Sequence, residues 1–207
     1  MTIIGHFMGY SVCLACIVLA IGCPAPALAQ QEPGEIEAKP PPETKPKAQA
    51  ETENVLKEKL APFRAYEGEW VGVQKYAEVD ENGAFETKSE WTGKFVLDGS
   101  YFEMVGKSEY PAGTASYRWM ITYDLFQRKY RAWTFNSNGM VTEWNGDYDE
   151  ARKEFIWKFE DKRAGIKGWL RTSAIATRVT GTGEAKDKNS RLVSDYDLEF
   201  RRKKIRI

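Results

Sequence analysis

The chain has almost no histidine and almost no cysteine. Its single histidine is His6, and its cysteines are Cys13, Cys16 and Cys23, all within an apolar N-terminal stretch. Thiol catalysis, a disulfide framework, a histidine-ligated haem and a metal site built from Cys or His are therefore excluded beyond that stretch. The general bases and nucleophiles that remain are carboxylates, Lys, Tyr, Ser and Thr.

The chain also lacks a net charge. Acidic and basic residues number 30 each over 207 residues, so no overall field favours nucleic acid or an acidic substrate. The C-terminal "RRKKIRI" is locally basic, and such a short run is typically solvated, with a phosphate or headgroup contact as the alternative. No Gly-rich phosphate loop, nucleophile elbow or metal-spaced cluster is present. These absences predict no cofactor, no metal, no nucleic-acid partner and no catalytic residue, and they favour a protein that is not an enzyme.

The first 29 residues are typical of an export signal. An apolar run ending in "LAIGC" is followed by "PAPALAQ", in which Ala27-Leu28-Ala29 before Gln30 forms an A-x-A cleavage site. We therefore predict a signal peptide over residues 1–29 and a periplasmic or secreted protein. A lipoprotein signal is the alternative, with Cys23 carrying the lipid, and in that case alone the protein would be anchored to a membrane.

Residues 30–52 are predicted to form a disordered linker. The segment "QQEPGEIEAKPPPETKPKAQA" is rich in Pro, Glu and Lys and has almost no large apolar side chains. Such a composition cannot bury enough apolar surface to offset the entropy that ordering would cost. We expect an extended tether with polyproline character at Pro40-Pro41-Pro42.

The folded domain, residues 53–207, begins with a predicted short amphipathic helix. Apolar residues recur at helical spacing in "NVLKEKLAPF", with Asn54 as a candidate N-cap and Pro62 as the stop. We expect this helix to cover an open end or an edge of the structure that follows.

From Trp70 onward the apolar period changes from helical to about two. About nine strand candidates follow one another, separated by turns such as Asn82-Gly83, Asp98-Gly99 and Asn138-Gly139. No second helix interrupts them. This pattern predicts an all-β, antiparallel up-and-down meander that closes into a barrel of about 8–10 strands, because closure removes the exposed edges. A β-sandwich is the alternative.

Three segments, taken in order, resemble a known family. They are "LAPFRAYEGEWVGVQKY", "GKFVLDGSYFEM" and "TYDLFQRKYRAWTFNSNGMVTEWNGDYDEARKEFIW". Their order and spacing resemble the bacterial exported family known as domain of unknown function 1579, over roughly residues 56 to 202. The resemblance implies an exported calycin-like, lipocalin-type β-barrel and supplies no reaction. Two departures, Thr122 in place of the family's Gly and the section from "TRVTGTG" to "DKNS", leave the register of the strands after residue 170 open.

Aromatic residues are abundant on the predicted strands. A barrel of about eight strands has an interior that side chains fill, or that holds one small ligand. Trp and Tyr suit a pocket for an apolar or amphipathic molecule because each combines apolar area with a hydrogen-bond donor. The candidate pocket-lining residues are Trp91, Tyr117, Trp119, Tyr123, Trp133, Trp144 and Trp157. A filled core built from the same residues is the alternative.

Charged residues on the predicted strands are expected to face outward. Arg118 and Arg131 lie on neighbouring predicted strands beside bulky aromatics, so side-chain alternation leaves their face open. We expect a surface position, with binding of a ligand carboxylate on the inner face as the alternative. Asp195, Asp197 and Glu199 alternate along one strand and are expected to form a solvent-exposed face.

The sequence therefore predicts an exported barrel that binds a small hydrophobic or amphipathic ligand without catalysing a reaction. One alternative is an envelope interaction or scaffold domain with a filled barrel core, which the charged linker motivates. Another is an enzyme that acts on a lipid-like substrate through Tyr or carboxylates. No feature of the sequence indicates an oligomeric state.

Overall fold

The structure is a computed structural model that describes residues 47–78 and 83–204, with side chains described from residue 51. The predicted signal peptide, Cys23 and linker residues 30–46 lie outside the described residues. The predicted turn before Gly83 also falls mostly outside them. Within the described ranges no helix is both long enough and apolar enough to cross a membrane.

The described chain forms one α-helix, a 3₁₀ helix that follows it directly, a second, short 3₁₀ helix at Leu97–Gly99, and ten β-strands. The helix α1 is Lys47–Leu60, and the 3₁₀ helix is Ala61–Tyr66. The strands are β1 Gly68–Tyr76, β2 Phe85–Val96, β3 Tyr101–Tyr110, β4 Gly113–Asp124, β5 Lys129–Asn136, β6 Val141–Asp149, β7 Glu154–Asp161, β8 Ile166–Ile175, β9 Arg178–Lys186 and β10 Leu192–Arg202.

The ten strands form a closed antiparallel barrel. Each strand pairs with the next along the chain, and β1 pairs with β10, so that Trp70 lies opposite Arg202 and Tyr76 lies opposite Tyr196. Closure satisfies the hydrogen-bonding groups of both edges. The predicted up-and-down barrel with a short N-terminal helix is thereby confirmed.

Side chains alternate between the barrel interior and the surface because successive residues of a strand point to opposite faces. On β4, Tyr117 and Trp119 face the interior, whereas Arg118 between them pairs with Glu103 on the outside at 3.3 Å. On β5, Arg131 lies on the outer face and pairs with Glu143. Both arginines are therefore surface groups, as the sequence predicts.

The hairpin between β8 and β9 corrects the strand pattern inferred from sequence. The segment "GIKGWLRTSAIATRV" reads as one strand candidate, but the structure divides it at a turn after Ile175. Ala176 adopts a left-handed conformation there, with a φ of 52°. Because the turn contains no Gly, Pro or Asn, it carries no signal that sequence reasoning recognises. A register shift between Leu192 and Ser194 adds a bulge to β10.

Helix α1 begins earlier than its predicted N-cap, Asn54. It starts at Lys47, within the segment that the sequence assigns to the linker. Ala and Gln, which dominate "KAQA", are strong helix formers, and this preference extends the helix by two turns. The helix ends at Leu60, and Pro62 lies in the first turn of the 3₁₀ helix.

Residues 60–66, here called the plug, close one end of the barrel. The plug's inward residues Leu60, Phe63 and Tyr66 are all buried. Phe63 stacks on Phe155 with ring centroids 4.2 Å apart and on Phe102 at 5.2 Å. The expected role of the helical segment, covering an end of the barrel, is confirmed.

Two polar contacts tie the plug to the strands. The Tyr130 hydroxyl donates to the carbonyl of Lys59 at 2.6 Å. The Arg202 guanidinium donates to the carbonyl of Ala65 at 3.3 Å and lies over the Trp70 ring, 4.8 Å from its centroid. These contacts satisfy carbonyl groups at the end of α1 and in the 3₁₀ helix, which would otherwise lack partners.

Candidate functional site: a cavity inside the barrel

The plug fills one end of the barrel and leaves a cavity of about 290 Å³ above it. The cavity lining extends from Phe63 and Tyr66 of the plug to Tyr76, Tyr110 and Asn136, which lie at the opposite ends of their strands. We call that opposite end the mouth. The core is therefore neither fully packed nor empty, because the plug half is filled and the mouth half is hollow.

Tryptophans form the deeper wall of the cavity. Trp119 stacks on Trp144 with centroids 5.1 Å apart and meets Trp157 edge-on at 6.2 Å. Trp144 donates its indole N–H to the Thr134 hydroxyl at 3.2 Å, which fixes the ring against the wall. Trp91 lines the same space and stacks on the buried Trp70 at 5.3 Å.

Tyrosines form the wall near the mouth. Tyr76 lies 5.3 Å from Tyr196 and 6.4 Å from Tyr110, measured between ring centroids. The Tyr76 hydroxyl donates to Oε1 of Gln74 at 2.8 Å. Tyr117, on β4, completes this group. The polar side chains of Ser108, Thr142 and Ser194 also line the cavity.

Cross-strand pairs of glycine and an aromatic residue explain why the interior stays hollow. Gly106 lies opposite Tyr117, Gly146 opposite Trp157, and Gly183 opposite Tyr196. A Cβ on Gly146 would lie 2.5 Å from the Trp157 ring, and the corresponding distances are 2.7 Å for Tyr117 and 2.6 Å for Tyr196. Because glycine has no Cβ, each ring lies flat against the neighbouring strand and leaves the centre of the barrel free.

The cavity has an uncharged lining. None of the described residues that line it is Asp, Glu, Lys or Arg. Burial raises the pKa of Tyr76, Tyr117 and Tyr196 above the usual value, since a phenolate in this apolar space would lose its hydration. These phenols are therefore neutral and act as hydrogen-bond donors at physiological pH.

The structure brings five of the predicted pocket residues together in the cavity lining. They are Trp91, Tyr117, Trp119, Trp144 and Trp157. Their positions are structural facts, whereas ligand binding by them stays a prediction.

Trp133 and Tyr123 do not line the cavity, which corrects two of the predicted positions. Trp133 is on the outer face of β5, with the Arg131 guanidinium 5.9 Å from its ring centroid. The inner positions of β5 belong to Tyr130, Ala132 and Thr134. Tyr123 is at the plug end, where it packs edge-on against Tyr130 at 5.0 Å.

Sequence reasoning missed the residues at the mouth. Tyr76, Tyr110 and Tyr196 line the cavity together with Gln74. A signal was present in the strand period, because Gln74 and Tyr76 follow Trp70 at intervals of an even number of residues and so share its face. The signal is weak because Tyr76 is the last residue of β1, next to the turn that follows.

No cluster of acidic, His or Cys side chains within residues 51–78 and 83–204 could hold a metal ion. Asp195 and Asp197 face outward on β10, opposite in direction to the inward-facing Tyr196. Glu199 pairs with Arg178 at 3.1 Å and Arg201 at 3.3 Å, which lowers the pKa of its carboxyl. The acidic face thus lies on the outer surface, where Glu199 is ion-paired.

The comparisons with known proteins give structural neighbours. No protein-family model matches the chain, and no curated protein matches it. The solved structure of the S-type phycobiliprotein lyase CPES from Guillardia theta is similar, with a TM-score of 0.50, 13% identity, and coverage of 78% of this chain and 100% of that chain. Rv2717c from M. tuberculosis is also similar, with a TM-score of 0.55, 10% identity, and coverage of 70% and 97%.

At these identities the likeness shows the fold alone. The fold and the cavity define a calycin-like β-barrel with an internal, aromatic-lined space.

The first of these comparisons corrects the prediction that the protein is not an enzyme. A protein described as a lyase is built on the same fold. The lack of His and Cys from the barrel is therefore no ground for excluding catalysis, and that exclusion does not stand.

Proposed function

We propose that the barrel binds a small, largely apolar molecule in its cavity. The observation that carries this proposal is the hollow of about 290 Å³ walled by tryptophan and tyrosine rings. Small-molecule sites in proteins are typically concave, mostly apolar and largely preformed.

The favourable free energy of binding comes from removing apolar surface of the ligand and the cavity wall from water. In the free protein the rings of Trp119, Trp144 and Trp157 face the cavity. Each 100 Å² of apolar surface removed from water contributes about 2.5 kcal/mol. Since the rings are held by stacking and by the hydrogen bond from Trp144 to Thr134, little side-chain entropy is lost when a ligand enters.

The hollow half of the barrel favours this function over a scaffold with a filled core. A scaffold barrel needs packing throughout, and the plug already supplies such packing at one end, where Phe63 and Phe102 are buried. Toward the mouth, Tyr117 and Tyr196 each contact a glycine on the neighbouring strand, and a cavity remains between the walls. This arrangement keeps a space open at some cost in packing contacts.

A neutral fluorescent probe tests the proposal. We expect N-phenyl-1-naphthylamine to bind saturably, with increased probe emission and energy transfer from the cavity tryptophans. Thr142→Trp places an indole inside the cavity, because Thr142 lines it. Val141→Trp is the matched control, because Val141 is the preceding residue on β6 and is 60% exposed on the outer face.

The expected result is that Thr142→Trp abolishes probe binding and Val141→Trp leaves it unchanged, with both variants folded by circular dichroism. Absence of saturable binding to the wild-type protein would refute the proposal. Equal loss in the two variants would place the probe outside the cavity and would also count against it.

We also propose that the protein acts after export. The support is the apolar N-terminal run followed by Ala27-Leu28-Ala29, together with the resemblance to the exported family domain of unknown function 1579. The intact mass of the protein purified from its native source tests this. Mature protein beginning at Gln30 supports cleavage, lipid on Cys23 supports the anchored alternative, and an uncleaved chain contradicts both.

A further inference from the structure

The cavity offers no counter-ion to a charged ligand. Every described side chain that lines it is uncharged, and the ionic groups of the same strands pair with one another outside. Arg118, for example, lies between the inward-facing Tyr117 and Trp119, yet it pairs with Glu103 on the surface. An ion that entered the cavity would lose its hydration without gaining an opposite charge from these residues.

The lining nevertheless has a polar end. The deeper wall consists mainly of tryptophans and aliphatic side chains, and its hydroxyls already have partners: Tyr66 bonds to Thr172, and Thr134 accepts from Trp144. The wall near the mouth carries phenols, hydroxyls and the amides of Gln74 and Asn136. A ligand that fits this lining has an apolar body and one polar end directed at the mouth.

Two phenols at the mouth have unused hydrogen-bonding capacity. The phenol ends of Tyr117 and Tyr196 each contact a glycine on the neighbouring strand, Gly106 and Gly183 respectively, and these contacts position both rings against the wall. Tyr76 uses its hydroxyl on Gln74. Within the part of the chain that the structure describes, the hydroxyls of Tyr117 and Tyr196 make no hydrogen bond. Both hydroxyls are accessible from the cavity, so a polar group of a ligand can form a hydrogen bond with either of them.

We infer that the cavity selects neutral molecules with an apolar body and a hydroxyl or carbonyl group at one end, and that this end lies against the hydroxyls of Tyr117 and Tyr196. This inference rests on the proposed binding function and names its ligand class. Burial raises the pKa of both phenols, so each keeps its proton and donates to the ligand's oxygen at neutral pH.

The first experiment compares two probes with the same ring skeleton. N-phenyl-1-naphthylamine is neutral, whereas 1-anilinonaphthalene-8-sulfonate carries a sulfonate. We expect the neutral probe to bind at least about tenfold more tightly, because the sulfonate would be buried without a counter-ion. Displacement of the neutral probe then extends the comparison to 1-naphthol, 1-naphthoate and 1-naphthylmethylammonium at about pH 8, where the last two are ionised. 1-Naphthol should displace it at a concentration at least about tenfold lower than either ion.

The second experiment tests the orientation with Tyr117→Phe and Tyr196→Phe. The readout is the ratio of the dissociation constants of naphthalene and 1-naphthol, which isolates the effect of the ligand hydroxyl. We expect at least one variant to lower this ratio by about threefold to tenfold, with both variants folded by circular dichroism. Tyr123→Phe is the matched control, because Tyr123 lies on the same face of the same strand as Tyr117 but at the plug end.

The outcomes separate this inference from the function on which it rests. If the neutral probe does not bind, the binding function fails and the inference falls with it. If the neutral probe binds but either ion competes as well as 1-naphthol, the ligand class is wrong while the binding function stands. If neither Phe variant changes the ratio, or Tyr123→Phe changes it equally, the assigned orientation is wrong.

Discussion

The indole ring of Trp157 lies flat against Gly146, the residue directly opposite it on the neighbouring strand. A Cβ on Gly146 would lie 2.5 Å from two of the ring carbons, so no larger residue fits without moving the ring. Because Trp157 also lines the cavity, a ring displaced away from Gly146 moves toward the barrel interior and reduces the cavity.

Gly146→Ala should therefore change both stability and binding. We expect a loss of about 1–3 kcal/mol in the free energy of unfolding, because the new methyl group overpacks the wall. The displaced indole should also weaken binding of N-phenyl-1-naphthylamine. Urea denaturation and probe titration measure the two effects. Asn145→Ala, at the exposed neighbouring position on β6, should stay within about 0.5 kcal/mol of wild type. A fully stable Gly146→Ala protein with normal probe binding would contradict the assigned packing.

Phe63→Ala should remove the centre of the plug. Phe63 is 2% exposed and stacks on Phe155 and Phe102, so truncation leaves a cavity among aromatic rings. We expect a loss of about 3–5 kcal/mol in the free energy of unfolding, measured by urea denaturation. Phe126→Ala is the control, because Phe126 is 100% exposed, and it should change stability by less than about 0.5 kcal/mol. Similar losses in the two variants would show that the plug is not packed as described.

Arg202→Ala should loosen the contact between β10 and the plug. The guanidinium lies over Trp70 and donates to the carbonyl of Ala65, so its removal costs a cation–π contact and a hydrogen bond, together about 1–2 kcal/mol. Thermal or urea unfolding measures this loss. Arg201→Ala removes the neighbouring arginine, whose side chain is 80% exposed and pairs with Glu199. Because an exposed ion pair contributes little, this control should cost less than about 1 kcal/mol. The reverse order of the two effects would refute the assigned roles.

The protein should lose stability in alkali above about pH 10. Burial raises the pKa of Tyr66, Tyr76, Tyr117, Tyr130 and Tyr196 in the folded state. An unfolded chain ionises these phenols near their ordinary pKa of about 10, and the folded protein does not. Their contribution to stability is therefore complete below about pH 10 and declines as the pH rises further, because the unfolded state then releases more protons.

Tyrosinate absorbance and circular dichroism, followed together, measure this behaviour. We expect the five buried tyrosines to ionise in step with loss of the β-sheet signal. Tyr196→Phe should reduce the alkaline decline, since one raised phenol is removed. Smooth titration of all tyrosines without unfolding would contradict the burial of these phenols.

Strand β5 shows where sequence reasoning reaches its limit. Both faces of "KYRAWTFN" carry aromatics, so alternation alone does not reveal which face is internal. The structure places Ala132 inside, fully buried, opposite Ile121 on one neighbouring strand and Trp144 on the other. The interior position goes to the small residue because its neighbours already occupy the space, which puts Trp133 outside. Lys129 and Arg131 share the face of Trp133 and give a local signal for this orientation, whereas the fit of Ala132 between Ile121 and Trp144 depends on the pairing register.

On other strands, the local sequence is enough to indicate which face points into the barrel. On β4, Tyr117 and Trp119 share a face with Ile121, and Arg118 marks the opposite face as external. On β10, Asp195 and Asp197 flank Tyr196 and mark the face opposite to it as external. Where one face is charged, burial cost assigns the orientation from local sequence.

The amino-acid sequence by itself determined the antiparallel barrel, the helical segment that covers its end, and the four tryptophans and one of the tyrosines of the cavity wall. It did so because strand alternation, turn chemistry and the cost of burying charge act over a few residues. The tertiary structure decided whether the interior is hollow, which tyrosines meet at the mouth, and where Trp133 and Tyr123 lie. Those outcomes depend on which glycine stands opposite which ring, and barrel closure and strand register set that pairing across the whole chain.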